Sequence, residues 1–189
     1  DARFDYTTAF TITEFGAQAS TIDDRDGDGA RELVISAHAF NGSRGQVLVV
    51  SGATTGTAGV ATTDDPGVTL TRINGSSMMR LGALLLSRSD LDSDFDGAAT
   101  DDLLVVGRSG TIDRGFLWYG GALPAGTTTV ASASFSFAAP AEFRISFINR
   151  TGSQGNLRWV GDLDDDGLED ICWATPITAN DDGAFEVFD

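Results

Sequence analysis

Acidic residues in this chain are concentrated in three short segments that recur at a nearly constant interval, which limits the fold more than any other sequence feature. The segments are residues 23–32, 90–102 and 162–170, and they hold 17 of the 28 acidic residues. From Asp28 to Asp96 is 68 residues, and from Asp96 to Asp166 is 70. A fixed repeat of this kind indicates an array of similar structural units.

Short apolar runs recur at the same interval as the acidic segments. They are rich in β-branched or aromatic residues and bounded by Gly, Asn, Asp and Ser, which predicts strands and turns. The runs are residues 33–35, 103–106 and 171–173, then 45–50, 115–119 and 183–188, then 68–73 and 133–137, with 8–13 near the N-terminus. No window has helical spacing over three turns. The sequence therefore predicts an all-β protein with about four strands per repeat of roughly 60–70 residues, the size of a propeller blade.

The acidic segments have the spacing of a metal-binding loop. Carboxylates at alternate positions repel one another unless a cation lies among them, and glycine at the sixth position permits a tight turn. In the first loop the predicted ligands, at positions one, three, five, seven and nine, are Asp24, Asp26, Asp28, the Ala30 carbonyl and Glu32. In the third loop they are Asp162, Asp164, Asp166, the Leu168 carbonyl and Asp170. In the second they are Asp92, Asp94, Asp96, the Ala98 carbonyl and Asp102.

The second loop fits this pattern less well than the other two. Its ninth position is Thr100, and a carboxylate follows only at Asp101 or Asp102, after an apparent two-residue insertion. The assignment of Asp102 as a ligand depends on that insertion.

Calcium is the predicted metal, at one ion per loop or about three per chain. Every ligand is a hard oxygen, which disfavours zinc, and magnesium resists exchanging its waters for an all-protein cage. An EF-hand shares the opening of the loop but needs a carboxylate at position twelve and flanking helices. Position twelve is Ile35 in the first loop and Trp173 in the third, both inside strand-like runs.

The pattern resembles the FG-GAP repeats of integrin α-subunit β-propellers and their bacterial relatives. The first unit carries Phe15-Gly16, Asp24-x-Asp26-x-Asp28-Gly29-x-x-Glu32, Val34-Ile35-Ser36-Ala37 and Gly45-x-Val47-x-Val49. The second unit has Leu81 in place of the phenylalanine and a longer loop, and the third has no clear Phe-Gly pair. The resemblance covers essentially the whole chain.

This resemblance implies a single propeller unit over residues 1–189 with three four-stranded blades. The approximate blades are 14–73, 80–137 and 143–189, and strand 8–13 is the outer strand that completes the third. Three blades are too few to close a ring. Either the chain is part of a longer propeller, or two chains close a six-bladed ring as a homodimer by exchanging the N-terminal strand.

Charge and the scarcity of catalytic side chains narrow the function. A net charge of −16 excludes nucleic acid as an expected partner, and no apolar run is long enough to span a membrane. The chain has one histidine and no lysine, and Cys172 has no basic neighbour in sequence, so we expect no enzyme activity. A carboxylate-pair glycosidase is the enzymatic alternative.

The resemblance implies a calcium-binding adhesion or macromolecular-binding module, extracellular or at the cell surface and from a bacterium, with a protein or glycan ligand. One alternative is a lectin-like propeller, which would need Trp118 or Trp159 on the surface. Another is a non-catalytic accessory region of a larger secreted enzyme. Aromatic residues within apolar strands more often fill a core, which is our expectation for Trp118, Trp159 and Trp173.

Overall fold

In a computed structural model of the chain, the apolar runs form β-strands. The structure describes residues 2–5, 13–56, 59–89, 100–109, 112–138, 156–165, 170–175 and 184–188. The strands among them are β1 (Ala2–Asp5), β2 (Phe15–Ile22), β3 (Glu32–Ala37), β4 (Gln46–Val50), β5 (Gly59–Thr62), β6 (Thr69–Asn74), β7 (Leu84–Ser89), β8 (Asp101–Ser109), β9 (Ile112–Trp118), β10 (Gly126–Thr129), β11 (Phe135–Ala138), β12 (Asn156–Gly161), β13 (Asp170–Thr175) and β14 (Ala184–Phe188). The all-β class predicted from the sequence is confirmed.

Within the described ranges, helical structure is limited to short turns between strands. The α-helices of the described ranges are α1 (Phe40–Ser43) and α2 (Gly52–Gly56), and two 3-10 turns cover Gly120–Ala122 and Val130–Ser132. Among the residues that the structure describes, no helix has the length and apolar character that crossing a bilayer requires.

The first sheet is built around two buried strands, β3 and β4. All five residues of β4 are buried, as are all residues of β3 except the half-buried Leu33. Burial on both faces explains why these strands appear in the sequence as continuous apolar runs. The strand order is β10-β6-β4-β3-β2, with neighbours antiparallel from β2 to β6. The fifth strand, β10, runs parallel to β6 and comes from the second repeat.

The second and third sheets repeat the antiparallel arrangement. The second sheet has the order β11-β9-β8-β7, so its strands follow chain order except that β10, which lies between β9 and β11 in the sequence, belongs to the first sheet. The third has the order β12-β13-β14 among the described residues. The sequence predicts about four strands per repeat, and each of the first two sheets contains four antiparallel strands from one repeat.

Apolar side chains between neighbouring sheets form two cores. The first core joins Ile22, Val34, Val47, Val49 and Ile73 of the first sheet to Leu85, Leu103, Val105, Phe116 and Trp118 of the second. The second core joins Leu104, Val106 and Leu117 of the second sheet to Ile171 and Trp173 of the third. The three sheets therefore pack face to face in chain order.

Backbone hydrogen bonds also tie the first sheet to the second. The N–H of Leu81 donates to the carbonyl of Arg44, and the N–H groups of Gly82 and Ala83 both donate to the carbonyl of Val106. These bonds fix the segment that connects the two sheets.

The N-terminus forms a separate small element. Strand β1 pairs in parallel with β5 in a two-stranded sheet, which the sequence did not predict. The predicted outer strand 8–13 lies outside the described residues except for Thr13, whose carbonyl accepts the N–H of Ala39.

Candidate metal centre

The first acidic loop, between β2 and β3, brings three of its predicted ligands together. One carboxylate oxygen from each of Asp24, Asp26 and Asp28 lies within 4.8 Å of the others, and all three residues are exposed. Calcium binds oxygen ligands at about 2.3–2.6 Å, so two ligands on opposite sides of one ion are at most about 5 Å apart. The separation of these oxygens fits a shared calcium ion.

Hydrogen bonds to Asp24 give the loop its curvature. Its Oδ1 accepts the N–H groups of Gly27 at 2.7 Å and Asp28 at 3.1 Å, and its Oδ2 accepts the N–H of Gly29 at 2.8 Å. Gly27 and Gly29 have φ values of +80° and +86°, in the left-handed region that glycine adopts readily. The glycine pattern therefore wraps the backbone around the first carboxylate of the motif.

Asp28 connects the loop to the end of β4. Its Oδ1 accepts the N–H of Ala30 at 2.8 Å, and its Oδ2 accepts the hydroxyl of Ser51 at 3.0 Å and the N–H of Ala53 at 3.1 Å. These bonds, the one from Ala30 above all, hold the pKa of Asp28 below its ordinary value. The carboxylate is thus kept ionised, as a metal ligand must be.

Glu32, the predicted position-nine ligand, is fully buried at the start of β3. Its Oε1 accepts the N–H of Arg25 at 2.7 Å, and its Oε2 accepts the N–H of Gly52 at 2.6 Å. The side chain thereby joins the start of the loop to the start of α2. A carboxylate oxygen has a second lone pair, so these bonds are compatible with metal ligation, which stays a prediction.

The position-nine contacts recur in the other two repeats. Asp102, at the start of β8, accepts the N–H of Gly120 at 2.7 Å, as Glu32 does from Gly52. Asp170, at the start of β13, accepts the N–H of Leu163 at 2.8 Å, as Glu32 does from Arg25. All three carboxylates are buried.

Sequence alone left Asp101 and Asp102 as alternatives for position nine. Asp102 makes the contact equivalent to that of Glu32, and Asp101 pairs instead with Arg31 of the first loop. The two-residue insertion in the second loop is therefore consistent with the position of Asp102 in the structure.

The other predicted ligands are placed only in part. Asp162 and Asp164 are exposed on the loop after β12, and Ala30 is half-buried in the first loop. Six predicted ligands lie outside the described residues: Asp92, Asp94, Asp96, Ala98, Asp166 and Leu168. The carboxylate cluster can thus be measured in the first loop only.

Two arginines join the first loop to the second sheet, and sequence reasoning did not assign them a role. Arg25 donates through one guanidinium nitrogen to the carbonyl of Gly120 and through the other to that of Leu123, the latter at 2.9 Å. Burial lowers the pKa of Arg25, against the attraction of Asp23 and Glu32. The available signal was that Arg25 and Arg31 are the only basic residues in the three acidic segments.

Arg31 forms a second link between the same two sheets. It pairs with Asp23 at 2.9 Å and with Asp101, while the second oxygen of Asp23 accepts the N–H of Asp101 at 2.5 Å. Burial raises the pKa of Asp101 above its ordinary value, and the hydrogen bond from Arg31 opposes this effect.

The tryptophans bear on the lectin alternative. Trp118 is fully buried in the first core and donates to the hydroxyl of Ser132 at 3.1 Å, and Trp173 is fully buried in the second. The core interpretation is confirmed for these two, so Trp118 offers no surface for stacking a sugar. The side chain of Trp159 lies outside the described residues.

The residues considered for catalysis lie outside the acidic loops. His38 is half-buried beside Glu14, with its Nε2 at 2.5 Å from a carboxylate oxygen, and Cys172 is half-buried in β13.

The chain matches no protein-family model, and no curated protein matches its sequence. The likeness to FG-GAP repeats therefore depends on the motifs and on the geometry described above.

Proposed function

We propose that the chain is a calcium-stabilised, integrin-like module of FG-GAP propeller blades that binds another macromolecule outside the cell. The single observation that carries this proposal is the cluster of Asp24, Asp26 and Asp28, whose ligand oxygens lie within 4.8 Å of one another. It occurs between two strands of a four-stranded antiparallel arrangement, in a sequence pattern that recurs twice more.

The packing of the sheets supports a propeller. Successive blades of a propeller pack face to face, and here the first core joins the first sheet to the second while the second core joins the second to the third. The recurrent position-nine contacts of Glu32, Asp102 and Asp170 support one common blade plan.

The donor set supports calcium as the metal. The three clustered ligands are carboxylates, and a flexible oxygen cage of this kind suits calcium better than zinc or magnesium. A bound calcium ion would also offset the electrostatic repulsion among these three neighbouring carboxylates. We infer a structural role, because calcium would hold the β2–β3 loop against the end of β4.

A calcium site of this kind suits an extracellular protein. Calcium sites of extracellular modules have dissociation constants of about 10⁻⁴ to 10⁻³ M, which millimolar calcium outside cells fills. Of the functions considered from the sequence, binding of a macromolecule through the loops fits a propeller better than stacking of a sugar on Trp118, which is fully buried.

Isothermal titration calorimetry tests the metal assignment. We expect calcium to bind the wild-type protein, and we expect the triple variant Asp24→Asn, Asp26→Asn, Asp28→Asn to bind about one ion fewer. Asparagine keeps an oxygen that accepts the loop N–H bonds but removes the charge. Asp5→Asn, a half-buried residue whose carboxylate pairs with Arg3 outside the acidic loops, is the matched control. Equal stoichiometry in the triple variant and the wild type would reject the site.

A further inference from the structure

The tripeptide Asn-Gly-Ser occurs twice in the chain, at residues 41–43 and 74–76. Asparagine followed by glycine is prone to spontaneous deamidation, because the glycine nitrogen can attack the side-chain amide without hindrance from a following side chain. Of the asparagines in the sequence, only Asn41 and Asn74 precede a glycine. The two sites share the reactive sequence, so a difference between them has to come from the fold.

Asn74, at the end of β6, is held through both its side chain and the peptide group that follows it. Its Oδ1 accepts the side-chain N–H of Gln46 at 2.7 Å, and the N–H of Gly75 donates to the carbonyl of Gly45 at 3.0 Å. Strand β6 also lies between β4 and β10. A Cβ at Gly75 would clash with the carbonyl oxygen of Arg44, so the backbone is closely packed there. The peptide group after Asn74 therefore cannot rotate without breaking these contacts.

Asn41 and Gly42 lie at the tip of the β3–β4 connection, in a different setting. Their φ and ψ angles are 49° and 61°, and 66° and 39°, which is close to the central pair of a type I′ turn. Within the described part of the chain, neither the carbonyl of Asn41 nor the N–H of Gly42 takes part in a hydrogen bond. The N–H of Arg44 closes the turn by donating to the carbonyl of Phe40 at 3.0 Å. Gly42 is exposed and has open space around it.

Deamidation needs the nitrogen of Gly42 beside the side chain of Asn41, and rotation of one peptide plane brings it there. At the ψ of 61° the nitrogen points away from Cβ. Rotating the peptide plane between the two residues converts a type I′ turn into a type II′ turn, in which ψ of the first central residue is about −120°. At that ψ the C–N bond eclipses the Cα–Cβ bond, so the nitrogen can reach Cγ and close a five-membered ring. Gly42 permits the rotation because glycine adopts either sign of φ.

We propose that Asn41 is a site of spontaneous deamidation and that Asn74, in the same tripeptide, is protected by the fold. The backbone nitrogen of Gly42 attacks Cγ of Asn41, and the Cγ–Nδ2 bond breaks as the new C–N bond forms. The amide group leaves as ammonia, taking up through solvent the proton that the Gly42 nitrogen loses. Water then opens the cyclic imide at either carbonyl, which gives aspartate or isoaspartate at position 41. The reaction needs no reactant other than water.

The modification changes the charge of one end of the first sheet. Strand β3 begins at Glu32, beside the first acidic loop, and ends at Ala37, shortly before the Asn41 turn. Both products carry a new negative charge at this opposite end, near the exposed Arg44. Isoaspartate also routes the main chain through the side-chain methylene, which lengthens the turn. The proposal depends neither on calcium nor on the repeat architecture.

The hydrogen bonds of Asn74 set the expected size of the difference. Its peptide group reaches the reactive geometry only when the bonds to Gln46 and Gly45 open, whereas the turn at Asn41 reaches it by a rotation that breaks no hydrogen bond of the described residues. Two hydrogen bonds of ordinary strength disfavour such an opening by roughly tenfold or more. In the folded protein we therefore expect deamidation at Asn41 to be at least about tenfold faster than at Asn74.

Peptide mass spectrometry after incubation of the folded protein at neutral pH tests the proposal. Trypsin cuts after arginine and releases residues 32–44 and 73–80 as separate peptides, each with one asparagine. We expect the first peptide to gain the mass of an NH₂-to-OH exchange and to separate into aspartate and isoaspartate forms, while the second stays unchanged. In guanidinium chloride the two peptides should react at similar rates, because the tripeptide is the same. Similar rates in the folded protein, or a reaction of Asn41 only in the denatured chain, would overturn the proposal.

Two glutamine variants assign the modified residue independently by ion-exchange chromatography. The wild-type protein should develop a more acidic form on incubation. Asn41→Gln should remove the main acidic form, because glutamine closes a six-membered ring more slowly, and the matched variant Asn74→Gln should retain it. A main acidic form that persists in Asn41→Gln, or that disappears in Asn74→Gln, would place the reaction elsewhere and reject the proposal.

Discussion

Replacing Glu32 with glutamine tests the buried carboxylate that joins the first loop to the end of β4. The wild-type side chain is fully buried and accepts one backbone N–H on each oxygen. Glutamine keeps one acceptor and places an amide NH₂ against the second N–H. A hydrogen bond to a charged group contributes about 1.5–3 kcal/mol, and an N–H left buried without a partner costs a similar amount. In EDTA we therefore expect the free energy of unfolding to fall by about 1.5–3 kcal/mol.

Calcium adds a second component to this prediction. At 10 mM calcium and a dissociation constant of about 10⁻⁴ to 10⁻³ M, one site stabilises the folded protein by about 1.4–2.7 kcal/mol. If Glu32 is also a ligand, the loss caused by Glu32→Gln should be larger in calcium than in EDTA by up to that amount. If Glu32→Gln lowers the unfolding free energy equally in calcium and in EDTA, Glu32 acts only through its hydrogen bonds and is not a calcium ligand.

The assay is urea unfolding followed by circular dichroism, in EDTA and in 10 mM calcium chloride. The matched control is Glu14→Gln, because Glu14 is 56% exposed and its pair with His38 should contribute less than about 1 kcal/mol. A change below about 0.5 kcal/mol for Glu32→Gln in EDTA would refute the reasoning, since it would mean that the two N–H groups do not depend on this carboxylate.

Three further predictions concern the contacts around the sheets. Arg25→Met removes two hydrogen bonds to the second sheet and should lower the unfolding free energy by about 1–3 kcal/mol. The control Arg3→Met, at an exposed position, should change it by less than about 0.5 kcal/mol. Equal effects of the two substitutions in urea unfolding would contradict the link between the sheets. Burial lowers the pKa of His38, against the attraction of Glu14, so an NMR titration of this single histidine should give a value below about 6.5. Because the unfolded chain then binds more protons, stability should fall as the pH drops below about 6.5, and a pKa at or above that value would refute this. Gly45→Ala should cost several times more stability than Gly67→Ala, because both have φ near +80° but a Cβ at Gly45 would lie 2.2 Å from the backbone nitrogen of Leu81, whereas the space at Gly67 is open; equal melting temperatures would contradict the packing argument.

The strands and the carboxylate cluster of the first acidic loop could be predicted because their determinants are local. Val34 and Ile35 lie in an apolar run that is buried on both faces. The alternate spacing of Asp24, Asp26 and Asp28 in one short loop is enough to predict that their carboxylates lie close together. Periodicity and turn chemistry are properties of a few consecutive residues, so one sequence is enough to find them.

Contacts between distant segments could not be predicted in the same way. Arg25 contacts carbonyls 95 and 98 residues further along the chain, and backbone carbonyls leave no signal in a sequence. Strand β10, in a Thr-rich segment, joins the first sheet in parallel with β6, although it lies within the second repeat. The choice between Asp101 and Asp102 likewise depended on Gly120 and Arg31, which only the fold brings near.

Thermal unfolding of the wild-type protein in calcium and in EDTA tests the central claim most directly. One site of the expected affinity contributes about 1.4–2.7 kcal/mol at 10 mM calcium, and about 1 kcal/mol corresponds to roughly 2–4 °C for a chain of this size. We therefore predict a melting temperature at least about 3 °C higher in 10 mM calcium chloride than in EDTA, with the difference reduced in the triple Asp24, Asp26 and Asp28 to asparagine variant. Identical melting temperatures for the wild-type protein in calcium and in EDTA would contradict the assignment of a calcium site.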